Sequence, residues 1–209
     1  MTAVKICGLT READVALACR LGASWIGFVF ASDSPRRVEP AAARRLAEAS
    51  APGVMRVGVF VSETPAEIEE AVDAARLDLI QFHRPLSAED FAAPRPIVAV
   101  ARVTGSEVEM PRADWLGRCR ALLLDSASES GAGGTGLAFD WRLAQGRAPG
   151  VPILLAGGLT FENVGAAVRR VRPWGVDVAS GVESSPGRKD PMKMERFFDA
   201  VRQADADAA

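Results

Sequence analysis

Two side chains that could transfer protons stand at the ends of short apolar stretches. Cys7 ends the apolar part of VKICGLT (residues 4–10), and a glycine follows it directly. Asp125 follows three leucines in ALLLDS (residues 121–126). A cysteine acts as a base or nucleophile only as its thiolate, and a carboxylate is costly to bury unless it is paired, hydrogen-bonded or protonated. Taken alone, Cys7 could equally be a small core residue and Asp125 a rim residue. Their positions in the fold are needed to distinguish these interpretations from a catalytic role.

Polar residues end three other apolar stretches. Asp177 and Ser180 lie in GVDVASGV, His83 ends LDLIQFH, and WIGFVF runs into the loop ASDSPRRVEP, which contains Arg36 and Arg37. A guanidinium group can hold a carboxylate or phosphate through two hydrogen bonds, although a loop arginine can also be a solvated charge. Any one of these residues could be a helix cap or a rim residue. Several of them on one face of a fold would indicate a functional site.

One glycine-rich segment follows an apolar stretch, and two others end apolar stretches. They are GAGGTG (131–136), AGGL (156–159) and ASGVE (179–183). Glycine lets the backbone approach a ligand closely and turn its N–H groups towards it. Such segments at consecutive strand ends favour a phosphate site, and tight turns that bind no ligand are the alternative.

Eight apolar stretches recur at regular intervals along the chain. Most are continuously apolar rather than alternating, which is typical of strands buried on both faces of a parallel sheet. The stretches are VKICG (4–8), WIGFVF (25–30), MRVGVFV (55–61), LDLIQFH (77–83), PIVAVARV (96–103), ALLLDS (121–126), PILLAGGL (152–159) and GVDVASGV (175–182).

Segments with helix signals alternate with these stretches. Residues 64–67, TPAE, combine a capping threonine, a proline in the first turn and a glutamate at the capping-box position. Thr10, Pro40 and Thr160 begin three further helical segments, and residues 193–204 predict a terminal helix. The segments after the fourth and fifth stretches show little helical periodicity.

Eight strands alternating with about eight helices predict one α/β domain over residues 1–204, followed by a frayed tail over 205–209. The predicted fold is a closed (β/α)8 or TIM barrel with eight parallel strands. A doubly wound open sheet is the alternative, but it usually has fewer strands, and no GxGxxG follows the first stretch. In a barrel the active site lies at the C-terminal ends of the strands, and the loops after strands seven and eight often hold phosphate.

The composition argues against several classes of function. The 25 basic and 27 acidic residues give a net charge of −2, so neither nucleic acid nor an anionic membrane is an expected partner. No apolar run approaches the roughly 18 residues of a membrane span, and charges come too early for a secretory signal. Three unevenly spaced cysteines, Cys7, Cys19 and Cys119, indicate neither a disulfide framework nor a zinc site. A cytoplasmic location is therefore predicted.

These stretches together resemble one family closely, the N-(5′-phosphoribosyl)anthranilate isomerases of tryptophan biosynthesis. The resemblance spans nearly the whole chain in the family's order, and the first and last segments are the most specific. It implies a TIM barrel that needs no cofactor or metal and acts on a small phosphosugar. The matching segments are KICGLT, GFVF with SPRRV, RVGVFV, LLLDS, GGTG with FDW, AGGL with ENV, and VDVASGVESSPGRKD.

The reaction that the resemblance implies is an Amadori rearrangement. N-(5-phospho-β-D-ribosyl)anthranilate becomes 1-(2-carboxyphenylamino)-1-deoxy-D-ribulose 5-phosphate. Ring opening needs an acid at the ribose ring oxygen, and apolar surroundings favour the neutral form of a carboxyl group. The resulting iminium makes the proton on C2 acidic, and a base must remove it.

The resemblance also implies roles for individual residues. Cys7 would be the general base, Asp125 the general acid and Arg36 the group that holds the anthranilate carboxylate, with Asp177 in a supporting place. The glycine-rich ends of strands seven and eight would bind the phosphate, and the GGTG loop would close over the substrate. The phosphate residues would be Gly157, Gly158, Ser180 and Gly181, and the loop residues Gly133, Gly134 and Gly136.

Two expectations concern the surroundings of these groups. A lowered pKa is predicted for Cys7, because it ends a strand and meets a cationic intermediate; Lys5, on the same face, could lower that pKa or only add order. The chain departs from the family's QLHG at the end of strand four, where it reads QFHRP with Arg84 in place of glycine. His83 is assigned no catalytic role, and Arg102 is the counterpart of a basic residue on strand five. Both a monomer and a homodimer are compatible with the sequence.

Two other functions remain open on this fold. A sugar isomerase of the histidine pathway performs the same rearrangement, but it usually has aspartates at the ends of strands one and five. In this chain strand one ends in Cys7, and strand five carries no aspartate. A non-catalytic phosphoribosyl-binding barrel would keep the glycine-rich turns and lose the acid or the base. Both Cys7 and Asp125 are present in this chain, which argues against the non-catalytic alternative.

Overall fold

The computed structural model describes residues 1–126 and 150–207. In this part of the chain eight parallel strands form a ring, and pairing of Ile80 in the fourth strand with Ile97 in the fifth closes it. The predicted TIM barrel is thus confirmed. The barrel strands are β1 (Ala3–Ile6), β2 (Trp25–Val29), β3 (Met55–Phe60), β4 (Leu79–Phe82), β5 (Ile97–Thr104), β7 (Ala121–Ser126), β8 (Ile153–Leu155) and β9 (Gly175–Val178).

Helices and short hairpins connect the barrel strands. β5 extends beyond the barrel and pairs antiparallel with β6 (Glu107–Glu109). After β9 a 3₁₀ turn (Ser180–Val182) leads into a hairpin of β10 (Glu183–Ser185) and β11 (Arg188–Lys189). The helices are α1 (Glu12–Leu21), α2 (Pro40–Glu48), α3 (Pro65–Ala75), α4 (Ala113–Leu116), α5 (Val164–Val171) and α6 (Pro191–Ala206), and a 3₁₀ turn covers Glu89–Ala92.

The predicted helix starts differ in accuracy. The capping box before α3 is confirmed, since Thr64 accepts from the Glu67 amide and its own amide donates to the Glu67 carboxylate. The other two threonines do not cap helices. Thr10 instead donates its hydroxyl to the Gly187 carbonyl, and α5 begins only at Val164, after the N-cap Asn163.

A compact turn accommodates Arg84, which stands after β4 where the family usually has glycine. Arg84 forms two hydrogen bonds with the Asp90 carboxylate, at 2.7 and 2.6 Å, and its guanidinium lies 4.6 Å from the centre of the Phe82 ring. Asp90 also accepts from the Ser87 amide. These contacts hold a single 3₁₀ turn where a longer helix usually follows a barrel strand.

Alternation along each strand separates two apolar layers. Val4 and Ile6 of β1 pack outwards with the helices, in the layer that includes Val15 and Phe197. The inward residues fill the barrel, with Cys7 at its C-terminal end. The interior cluster below consists of Trp25, Val57, Leu79, Val98, Val100, Ala121, Leu123, Leu154 and Ala156.

The C-terminal helix α6 packs beside α1 and α5, and its end is tied to the start of the chain. α6 continues to Ala206, past the predicted domain boundary at residue 204, and Asp205 accepts hydrogen bonds from the amide and hydroxyl of Thr2. Residues 208–209 lie outside the described part of the chain. Across residues 1–126 and 150–207, no helix combines the length and apolar character needed to cross a membrane.

Candidate active site

Cys7 lies at the C-terminal end of β1, inside the mouth of the barrel. Its amide donates to the Val178 carbonyl of β9, and its side chain packs with Val29 and Val59. The sulfur passes directly over Gly27, where an added Cβ would lie 2.9 Å from Sγ. Glycine on β2 therefore leaves the space that the thiol occupies.

The electrostatic surroundings of Cys7 correct one prediction. Burial raises the pKa of the Cys7 thiol above its ordinary value; the positive charges of Lys5 and Lys189 offset only part of this effect, and the negative charge of Asp177 adds to it. The prediction of a lowered pKa is therefore wrong for the unliganded site. An apolar barrel interior disfavours the thiolate more strongly than two cations stabilise it.

A buried ion pair lies one layer below the thiol. Lys5, which is fully buried, donates to the Asp177 carboxylate across the β1–β9 pair, with 3.0 Å between Nζ and Oδ1. Burial by itself lowers the pKa of Lys5, but Asp177 and Cys7 together raise it above its ordinary value. Asp177 therefore lies in the site as the partner of Lys5.

Asp125, near the end of β7, lies beside His83, to which no catalytic role was assigned. His83 Nε2, at the end of β4, lies 3.3 Å from Asp125 Oδ2, and both side chains are partly exposed in the mouth. Arg102 on β5 donates to the His83 carbonyl at 3.3 Å. Pairing of β4 with β5 and of β5 with β7 brings these side chains together, which cannot be read from spacing along the chain.

Arg36 lies across the end of β1, next to the thiol. A Cβ at Gly8 would come within 2.5 Å of Arg36 Cδ, and Gly8 has a φ of 71°, so glycine is required there on both counts. Arg36 Nε and Nη2 donate to the two oxygens of Glu183, at 2.9 and 2.7 Å. Burial alone raises the pKa of Glu183, but Arg36 and Lys189 outweigh it and lower this pKa below its ordinary value.

Lys189 is completely buried behind Arg36. Its ammonium lies 2.9 Å from Glu183 Oε1, 2.6 Å from the Cys7 carbonyl oxygen and 3.0 Å from the Ala179 carbonyl oxygen. It thus connects the ends of β1 and β9 with the hairpin that carries Glu183. Glu183 and Lys189 both belong to the segment VDVASGVESSPGRKD, but no local pattern indicates a role for either residue.

Two glycine-rich turns lie at the same end of the barrel. Gly157 and Gly158, after β8, have φ values of 82° and 66°, and the Asn163 side chain donates to the Gly158 carbonyl. Gly181, in the turn after β9, packs so tightly that an added Cβ would lie 1.8 Å from the Leu159 carbonyl oxygen. The two turns therefore pack against each other where Gly181 meets Leu159.

Some predicted residues lie outside the described part of the chain. They are Gly133, Gly134 and Gly136, in the segment 127–149. Within the described ranges, no group of three histidine, cysteine, aspartate or glutamate side chains could hold a metal ion. The candidate site accordingly consists of a thiol, a carboxyl group beside an imidazole, a guanidinium group and two glycine-rich turns.

Comparison with known proteins identifies a family and relatives to which this chain is similar. A model of the N-(5′-phosphoribosyl)anthranilate (PRA) isomerase family matches residues 4–200. An N-(5′-phosphoribosyl)anthranilate isomerase from Pseudomonas paraeruginosa is 45% identical over 208 residues, which cover 99% of this chain and 98% of that protein.

Solved structures give the same match at the level of the fold. Phosphoribosyl anthranilate isomerase from Thermotoga maritima superposes with a TM-score of 0.87 at 34% identity, covering 97% of this chain and all of the other. A phosphoribosyl anthranilate isomerase in complex with reduced 1-(o-carboxyphenylamino)-1-deoxyribulose 5-phosphate superposes with a TM-score of 0.82 at 33% identity. That match covers 97% of this chain and 100% of the other.

Proposed function

Since the chain belongs to the N-(5′-phosphoribosyl)anthranilate isomerase family, and is an isomerase of tryptophan biosynthesis, we propose how its own residues perform the reaction. The observation that carries the proposal is that Cys7, Asp125 and Arg36 all lie at the same, C-terminal end of the barrel strands. Cys7 is the general base, Asp125 the general acid and Arg36 the carboxylate clamp. The two glycine-rich turns hold the phosphate.

Asp125 starts the reaction by protonating the ring oxygen of the ribose. The C1–O bond then breaks, the nitrogen lone pair forms a C1=N bond, and the substrate becomes an open-chain iminium cation. Asp125 suits this task because it is at the mouth, where a sugar can reach it, and because His83 Nε2 at 3.3 Å limits where the carboxyl group can turn. A correctly held acid contributes roughly 10²–10⁴-fold to the rate.

Cys7 completes the reaction by removing the proton from C2. The electron pair of that C–H bond forms a C1=C2 double bond and neutralises the iminium, which gives an enolamine that tautomerises to the ketone. The thiol must ionise first, and Lys5 and Lys189 are the fixed charges that favour its anion. The iminium adds a third positive charge at the moment when the base is needed.

The raised pKa of Cys7 leads to a prediction about its titration. The thiolate absorbance that wild type shows in excess of Cys7→Ser should rise only above about pH 8.5, where an ordinary cysteine ionises. Because folding raises this pKa, the thiol stabilises the folded state below the unfolded pKa, and this stabilisation is lost as the pH rises through the folded value. Ionisation of Cys7 in the free enzyme below the ordinary range would contradict the burial argument.

The phosphate turns allow a test with a matched control. Gly181→Ala is expected to raise KM at least roughly tenfold, since a Cβ placed 1.8 Å from the Leu159 carbonyl oxygen must push the two turns apart. Gly117→Ala has no atom within 4 Å of the new Cβ and a φ of −63°, so its KM should not change. Equal KM values for both variants would remove these turns from the binding site.

The reaction itself can be measured directly. Purified protein mixed with freshly prepared phosphoribosylanthranilate should abolish the anthranilate-type fluorescence at a catalysed rate. Arg36→Met should raise KM for this substrate more than it lowers kcat, because the carboxylate lies away from the reacting carbons. No catalysed loss of fluorescence would refute the function, whereas an unchanged KM in Arg36→Met would refute only the clamp.

Partners and location are proposed in the same way. The phosphorylated substrate is small, and a protein related in structure has been solved with a reduced product analogue bound. A monomeric or homodimeric state and a cytoplasmic location stay predictions. Sedimentation of the purified protein would decide the first, and fractionation of the producing cells the second.

A further inference from the structure

Arg36, Glu183 and Lys189 form a line of three charges that ends at the mouth of the barrel. Glu183 bridges the two cations: Arg36 bonds both of its oxygens, and Lys189 approaches Oε1 at 2.9 Å. The side chain of Glu183 is 4% exposed and that of Lys189 0%, whereas that of Arg36 is 22% exposed. Only the outermost member of the line is therefore available to a ligand.

The hydrogen bonds around Lys189 determine its charge state. Three acceptor oxygens, from Glu183, Cys7 and Ala179, lie 2.6 to 3.0 Å from Nζ. A neutral amine has two N–H donors, and an ammonium group has three. The arrangement therefore requires the ammonium form, although burial lowers the pKa of Lys189 and Glu183 offsets only part of that effect.

The charge balance of this line matters for an anionic ligand. Arg36 and Glu183 without Lys189 would form a neutral pair with little net attraction for a carboxylate. The buried ammonium cancels Glu183 and leaves one net positive charge on the line. Glu183 also accepts from Nε and one donor of Nη2. Among residues 1–126 and 150–207, Nη1 and the other donor of Nη2 are left for the ligand.

We propose that Lys189 is a positioning residue for carboxylate recognition: its ammonium neutralises Glu183, and Arg36, which Glu183 orients, thereby keeps a full positive charge and one free edge for the ligand carboxylate. This inference rests on the proposed function, because it takes Arg36 to be the clamp. The inference explains why an arginine that is already paired with a buried carboxylate still attracts a second carboxylate.

The test compares two probes that differ only in that carboxylate. They are reduced 1-(o-carboxyphenylamino)-1-deoxyribulose 5-phosphate and its counterpart with a plain phenylamino group. Lys189→Met should weaken binding of the carboxylated probe roughly 10–100-fold relative to the plain probe, the effect of one unit charge at close range in a partly buried site. Equal weakening of both probes would overturn the inference, since a purely structural role for Lys189 affects them alike.

A double variant provides the control for structural damage. Glu183→Gln combined with Lys189→Met restores one net positive charge with neutral side chains of similar size, so the ratio of the two affinities should return towards wild type. A ratio no closer to wild type than that of Lys189→Met alone would overturn the proposal. If Lys189→Met does not fold, Lys189→Gln takes its place, because its amide still donates hydrogen bonds but carries no charge and Glu183 is kept to orient Arg36. Equal weakening of both probes by Lys189→Gln would overturn the proposal.

Arg36→Met separates this inference from its premise. If it weakens both probes equally, the clamp is wrong and the proposal fails with it. If it weakens only the carboxylated probe while Lys189→Met weakens both alike, the clamp stands and the charge balance alone is refuted.

Discussion

Replacing Asp125 by asparagine is expected to lower kcat roughly 10²–10⁴-fold. Asparagine keeps the shape of the side chain and its place 3.3 Å from His83 Nε2, but its amide cannot protonate a ribose ring oxygen. Binding of the reduced product analogue should stay close to wild type, because that compound has no ring to open. The measurements are steady-state fluorescence kinetics with phosphoribosylanthranilate and calorimetric titration with the analogue.

Asp114→Asn is the matched control for this substitution. Asp114 lies on the surface at α4, paired with Arg112, and its amide variant should leave kcat unchanged. Should Asp125→Asn retain wild-type kcat, another group must deliver the proton, and His83 would be the first candidate because it lies nearest.

Substituting Cys7 by serine is expected to reduce kcat by a similar factor, roughly 10²–10⁴-fold. A serine hydroxyl fits above Gly27, but it ionises far too weakly to take the proton from C2. The loss should appear in kcat rather than in KM, since other residues are proposed to bind the carboxylate and the phosphate. Exchange of the C2 proton with deuterated solvent should slow in parallel with turnover.

Cys19→Ser provides the comparison for the second substitution. Cys19 is a free, half-buried thiol in α1 whose sulfur accepts a hydrogen bond from the Ala51 amide, and its loss should leave kcat near wild type. A Cys7→Ser enzyme as active as Cys19→Ser would show that the base is another residue. Lys5 would then be the group to examine, because it points into the same part of the barrel.

Local interactions explain which predictions about the helices were accurate. The start of α3 could be predicted because all its signals lie within four residues, where Thr64 and Glu67 satisfy each other's backbone donors. Thr10 carries the same type of hydroxyl, but in the folded chain a carbonyl at Gly187 competes for it. A contact between residues so far apart in the chain has no local signal.

The ionisable groups of the candidate site also separate into features with a local signal and features that depend on distant contacts. Cys7 and Asp125 could be placed at strand ends from the apolar stretches before them, but the pKa of Cys7 could not be predicted. Its direction depends on how completely the barrel buries the thiol and on Lys189, which arrives from the other end of the sequence. The net effect is the difference between two large opposing contributions, and only coordinates supply both.

The sequence by itself determined the barrel and the family, and it indicated which strand ends carry the candidate site. It could do so because continuous apolar stretches and the segments around Cys7 and Asp177 are properties of short lengths of chain. Only the tertiary structure decided which side chains meet there: His83 with Asp125, Arg84 with Asp90, and Lys189 with Glu183 and Arg36. The physical reason is that hydrogen bonds and charges act over a few ångströms in space, and closure of the barrel sets those distances independently of separation along the chain.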